Sequence, residues 1–139
     1  MYHTIVVEGI DKTGKDTLVN YLFNLDNGKY LHHSRGIMSC IAYNKLYNRN
    51  VEYDLQQHTN EIFVYLTCEK QDWKVRCKLT NEPKINYEDN VNIFNEAKKL
   101  LMSKGIIILE YNTSYLTPYQ IATHVLRTME ELNNENRNR

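Results

Sequence analysis

The residues best placed to do chemistry lie near the amino terminus. The segment EGIDKTGKDT, residues 8 to 17, stands between the apolar run Ile5 to Val7 and a stretch carrying leucines at helical spacing. Gly9 and Gly14 bracket four residues, and Lys15 follows at once. That spacing suits phosphate. Glycines let backbone N–H groups curl around phosphate oxygens, and a helix that begins at the lysine turns its positive end toward them. The lysine itself reaches the outer phosphates of a nucleotide. Gly9, Thr13, Gly14, Lys15, Asp16 and Thr17 are therefore candidate nucleotide-binding residues, and Lys12 adds a second cation. One position departs from the pattern: Asp16 follows the lysine, where Ser or Thr is usual.

The elements that must hold this loop can be read along the chain. Four runs predict buried strands: His3 to Val7, Lys29 to His33, Glu61 to Thr67 and Ile106 to Tyr111. IVV, IFVYL and IIIL are continuous apolar runs, which suit a parallel sheet covered on both faces. Helices are expected over Asp16 to Leu25, Ile37 to Tyr47, Glu69 to Leu79 and Asn86 to Lys104. A last helix opens at Thr117-Pro118-Tyr119-Gln120, where Thr caps, Pro suits the first turn and Gln completes a capping box. Strands alternating with helices imply an α/β domain with right-handed crossovers, and ligands in such sheets bind at the carboxyl ends of the strands. The expected organisation is one domain over residues 1–132 and a polar tail over 133–139.

Composition narrows the function classes. The chain has 139 residues and zero net charge, so no basic field points to bulk nucleic-acid binding. No apolar run approaches the ~20 residues that span a bilayer, so no membrane partner is expected. Cys40, Cys68 and Cys77 have no metal spacing, and their odd number argues for a reduced, cytoplasmic setting over a disulfide framework. His32 and His33 are neighbours in a predicted strand and point to opposite faces, which disfavours a shared metal.

The residues around the loop carry a resemblance. VEGIDKTGKDTL resembles the phosphate loop of the thymidylate kinase family, with Glu8, Asp11 and Thr17 on its pattern. SRGIMSCIAYNKLY, residues 34 to 47, resembles that family's second signature, with Arg35, Ser39, Ala42 and Tyr43 in register. EIFVYLTCEKQDWKVRCKL and the closing helix and strand are similar with less specificity. The resemblance implies a P-loop NTPase three-layer αβα sandwich and an ATP- and Mg²⁺-dependent deoxynucleoside monophosphate kinase of nucleotide biosynthesis. It implies catalytic roles for Lys12, Lys15 and Arg35, with Lys12 matching a subclass that carries its basic residue in the loop. It puts Arg76 near the adenine. It puts Asp11 on the acceptor's sugar hydroxyl, Arg35 on its phosphate, Ser39 near its base and Tyr43 under its deoxyribose. A guanidinium fork suits a phosphate better than an ammonium does. The lid, about Thr80 to Tyr87, contains no arginine, which fits a charge supplied by Lys12.

Two departures from the family are expected to matter. Only nineteen residues separate Lys15 from Arg35, so a strand and two helices of the family's acceptor site have no counterpart. The sheet should keep four parallel strands in the order 2-1-3-4. Its open acceptor side would be closed by a second subunit, giving a homodimer, or by the helix from Ile37 with the segment NRNVEYDLQQ. The second departure concerns the metal. The family's hydroxyl after the lysine is Asp16 here and its strand-end aspartate is Ser34, a reciprocal exchange that would leave Asp16 and Ser34 as the Mg²⁺ ligands. Two rival readings stay open: a nucleoside kinase with Glu8 as base, and a nucleotide-binding protein without catalysis that acts through a partner.

Overall fold

The computed structural model describes residues 1–80 and 86–137. The chain alternates strands and helices: β1 (Thr4–Glu8), α1 (Lys15–Asp26), β2 (Leu31–Ser34), α2 (Ile37–Leu46), a 3-10 turn (Leu55–His58), β3 (Glu61–Thr67), α3 (Lys70–Thr80), α4 (Tyr87–Ser103), β4 (Ile108–Asn112) and α5 (Pro118–Arg137). All strand pairs are parallel and the order is β2-β1-β3-β4, as the sequence predicts. β1 and β3 form the centre, and their IVV and IFVYL runs are buried on both faces. Ile5, Val7, Ile62 and Val64 pack beneath α1 and α5 with Leu18, Leu22, Ile121 and Val125. Val6, Phe63 and Tyr65 pack on the other face with Met38 and Ala42 of α2, Trp73 of α3 and Phe94 of α4. No helix among the described residues is long and apolar enough to cross a membrane.

Local signals explain the helix ends. Thr117 and Gln120 close the capping box, with Gln120 N–H on Thr117 Oγ1 at 3.2 Å and Thr117 N–H on Gln120 Oε1 at 2.9 Å. The Asn86 side chain accepts from Asp89 N–H at 3.0 Å and starts α4. That helix ends when Gly105 N–H reaches Met102 C=O and Ile106 N–H reaches Leu101 C=O. Ile106 thus closes a helix, so β4 begins two residues later than the apolar run IIIL suggests.

Three expectations need correction. β2 is not a buried strand: it is an edge, its residues alternate between exposed and half-buried, and Leu31 is 64% exposed. Leu25 was expected in α1's apolar stripe and is 39% exposed instead. Residues 133–137, read as tail, continue α5, and buried Asn133 ties that helix to Tyr2 through bonds of 2.8 and 3.1 Å. The segment from Asn48 to Gln57 follows α2, and its Tyr53 hydroxyl meets Asn44 Nδ2 at 2.7 Å. It packs Tyr53 and Leu55 on the α2–α4 core and delivers the chain to Glu61, at the end of the sheet away from the loop. Most of the expected lid, residues 81–85, lies outside the described residues.

Candidate active site

The loop from Gly9 to Gly14 joins the carboxyl end of β1 to α1. It passes so close to β3 that a Cβ at Gly9 would stand 2.4 Å from Leu66 C=O, and Gly9 has φ +145°. Only glycine fits there. Buried Thr13 folds its hydroxyl back on Ile10 C=O at 2.8 Å. Lys15 is buried at the start of α1, and its ammonium donates to Gly9 C=O at 2.9 Å and Ile10 C=O at 2.8 Å. Burial, reinforced by the nearby Arg35 charge, lowers its pKa to about 8, against the opposing pull of Asp11, Glu8 and Asp16.

Asp11, Lys12, Gly14, Lys15, Asp16, Thr17 and Arg35 line one polar cleft of about 360 Å³. Arg35 is ion-paired to Asp11 at its mouth. Lys12 and Arg35 both adopt left-handed backbone, φ 67° and 71°, an arrangement that costs about 1–2 kcal/mol in an L-residue and gathers at functional sites. A second, mostly apolar slot of about 400 Å³ adjoins the first. The two share Lys12, Gly14 and Thr17; Leu79, Leu116, Pro118 and Ile121 form the slot's apolar side. Arg76 lines the slot and binds Lys12 C=O at 2.8 Å and Thr113 Oγ1 at 3.1 Å. The two cavities together offer a polar end lined by cations and a mostly apolar end.

The structure therefore brings together Gly9, Asp11, Lys12, Thr13, Gly14, Lys15, Asp16, Thr17, Arg35 and Arg76. It treats three other expected residues differently. Ser39 is buried, and its hydroxyl and N–H both donate to Glu8, at 2.5 and 3.2 Å. It faces the core rather than an open acceptor base. Tyr43 is half-buried, edge-on to Phe94 at 5.8 Å, and feels the charges of Asp11 and Arg35. Burial is the main cause of its raised pKa. Ser34 ends β2 in register with Val7 and is not among the described residues lining the polar cleft, whereas Asp16 is. Thr113 escaped the sequence reading although it anchors Arg76; its place just past the end of β4 is the available signal.

Among the described residues no three His, Cys, Asp or Glu side chains gather as a metal cage. Asp16, an exposed carboxylate on α1's first turn, offers one hard oxygen donor beside the phosphate cleft. One carboxylate plus nucleotide phosphates is how Mg²⁺ is commonly held, so the donor set fits that ion.

No known family's sequence model matches the chain. No curated protein matches it either. Solved structures do. The YorR protein from Bacillus subtilis, solved in complex with phosphorylated GDP, is 16% identical, with a TM-score of 0.73 over 94% of this chain and 98% of that one. Thymidylate kinase from Candida albicans is 13% identical, with a TM-score of 0.61 over 96% and 93%. Loop, strand order and both neighbours agree that the chain has a thymidylate kinase-like P-loop fold.

Proposed function

We propose that this chain is a deoxynucleoside monophosphate kinase that moves the γ-phosphoryl of ATP to a dNMP. The observation that carries the reading is the convergence of Lys12, Lys15 and Arg35 on one polar cleft that continues into an apolar slot. Phosphoryl transfer asks chiefly for positioning and charge neutralisation, and these residues are of that kind. The donor's base lies in the slot against Arg76. Lys15 leaves its two carbonyl partners for the β- and γ-phosphates, and Lys12 covers the group in transfer. Arg35 exchanges Asp11 for the acceptor's phosphate, which frees Asp11 for the sugar hydroxyl beside Tyr43. Asp16 and the phosphates would hold Mg²⁺, which would supply charge neutralisation. The nucleotide in the YorR complex supports a nucleotide ligand for a fold of this shape.

Glu8 weighs against the nucleoside-kinase reading. It is fully buried and hydrogen-bonded by Ser39, so it has no access to a substrate hydroxyl. The reading without catalysis draws on one feature of the sequence: only nineteen residues separate Lys15 from Arg35, too few for the strand and two helices that the resembled family places there. A coupled ADP-release assay over the four dNMPs and, separately, the nucleosides decides among the three. Release with at least one dNMP and none with nucleosides supports the proposal; release with nucleosides alone, or with neither class, contradicts it.

A further inference from the structure

α2 begins without a cap of its own. Its N-cap residue is Gly36, which has no side chain to receive the first amides. The acceptor comes instead from another element: the Glu8 carboxylate, at the end of β1, takes Ser39 N–H and Ser39 Oγ–H and is also bonded by the backbone of Gly36 and Met38. A carboxylate at a helix N-terminus is favoured by both the open amides and the helix dipole. The fit leaves no slack. A Cβ on Gly36 would stand 2.7 Å from Val6 Cγ1 and 3.6 Å from Glu8 Oε2. Arg35 precedes this junction directly, with its own N–H on Val7 C=O at 2.8 Å. Two consecutive residues of β1 thus hold both sides of Arg35, Val7 through its carbonyl and Glu8 through the start of α2. Between those ties Arg35 takes its left-handed backbone, and its guanidinium reaches Asp11 at the cleft.

We propose that Glu8 is a positioning residue, which caps α2 from β1 and thereby fixes the left-handed turn that presents Arg35 to the acceptor's phosphate. It moves no proton and touches no substrate. The proposal rests on the reading of the polar cleft as a phosphate site. It adds that the glutamate before the loop serves the acceptor side, although the loop itself serves the donor. Removal of the cap should then be felt by the acceptor and not by ATP.

Glu8→Gln, which keeps an acceptor oxygen, and Glu8→Ala, which does not, are compared with the unaltered chain in three measurements. These are amide hydrogen exchange at Met38 and Ser39, the backbone chemical shifts of Arg35, and calorimetric titration with MgATP and with each dNMP in turn. In Glu8→Ala the two amides exchange at least ~10-fold faster, Arg35 loses its left-handed shifts, and dNMP affinity falls ~10-fold, the effect of one hydrogen bond to a charged group. MgATP affinity stays within about 2-fold, well below that same loss. Glu8→Gln restores most of both properties. Unchanged Arg35 shifts in Glu8→Ala overturn the proposal, as does Glu8→Gln that binds both nucleotides normally yet is inactive, since Glu8 would then be a base. If Glu8→Ala does not fold, Glu8→Asp, whose carboxylate is one methylene short of the same amides, replaces it in the exchange and shift measurements, where unaltered Arg35 shifts again overturn the proposal. A chain that binds no dNMP at all defeats the acceptor reading instead, and the exchange and shift measurements still decide the role of Glu8.

Discussion

Lys15 holds its charge where burial opposes it, with Gly9 C=O and Ile10 C=O as its partners, and the proposed phosphate would make that arrangement more favourable. With the pKa near 8 in the free protein and 10.5 in the unfolded chain, the unfolded state binds more protons between those values. The contribution of Lys15 to stability therefore rises with pH through that window, as the buried charge is lost. Anion binding runs the other way, because it needs the charge. MgATP affinity should fall about tenfold per pH unit above pH 8, and Lys15→Arg should flatten the fall because a guanidinium stays protonated. Calorimetry from pH 7 to 9.5 measures both, and a flat profile for the unaltered chain contradicts the assignment. Arg35 offers a second test of strain held for function. Arg35→Gly should stabilise the fold by about 1 kcal/mol, since glycine takes φ 71° freely and an exposed ion pair contributes little. It should also abolish dNMP-dependent turnover; a lower urea midpoint in that variant would refute the strain. These cations were legible in sequence because loop spacing and a strand-end signature are local. The Glu8–Ser39 pair was not, because its partners are 31 residues apart and a glutamate after a strand equally suits a base.

At the scale of the elements, the connection from α1 to β2 is short. Asn27 and Gly28 take left-handed backbone in succession and reverse the chain within two residues. Asp26 fastens the reversal: it accepts Gly28 N–H at 2.8 Å and meets His32 Nε2 at 2.6 Å, with side chains only 2% and 4% exposed. Removal of one member leaves the other buried without its partner. Asp26→Ala should cost about 3 kcal/mol in urea unfolding, and Asp26→Asn clearly less because it keeps an acceptor. Equal losses in both variants would contradict this, since they would show that the carboxylate charge, and not an acceptor as such, holds the reversal. The central strands, the helix caps and the sheet order were readable because apolar runs, Thr117–Gln120 and Asn86 act within a few residues. The exposure of β2 was not, since LHH carries no mark of an edge. Nor was the continuation of α5, where a polar run hides the single buried contact of Asn133 with Tyr2.

At the scale of the whole molecule the proposed donor site accompanies a sheet edge, β2, that no other strand covers among the described residues. β2 has unpaired backbone on its outer side, with Leu31 64% and nearby Phe23 60% exposed. Such an edge is a template for another strand. We propose that two copies pair along it, which gives a dimer in sedimentation velocity that Leu31→Lys dissociates; a 16.5 kDa species at all concentrations contradicts it. The fold as a whole was legible because both neighbours share an architecture whose loop is local in sequence. How the acceptor side is completed was not, because that depends on what the shortened connection omits. The account depends most on Lys15, and the direct test is calorimetric titration of MgATP into the unaltered chain and Lys15→Ala. It predicts one-to-one binding that weakens at least ~10-fold, about 1.4 kcal/mol, in the variant, with melting temperatures nearly equal. Equal affinity in the two proteins, or no binding to the unaltered chain, would contradict it.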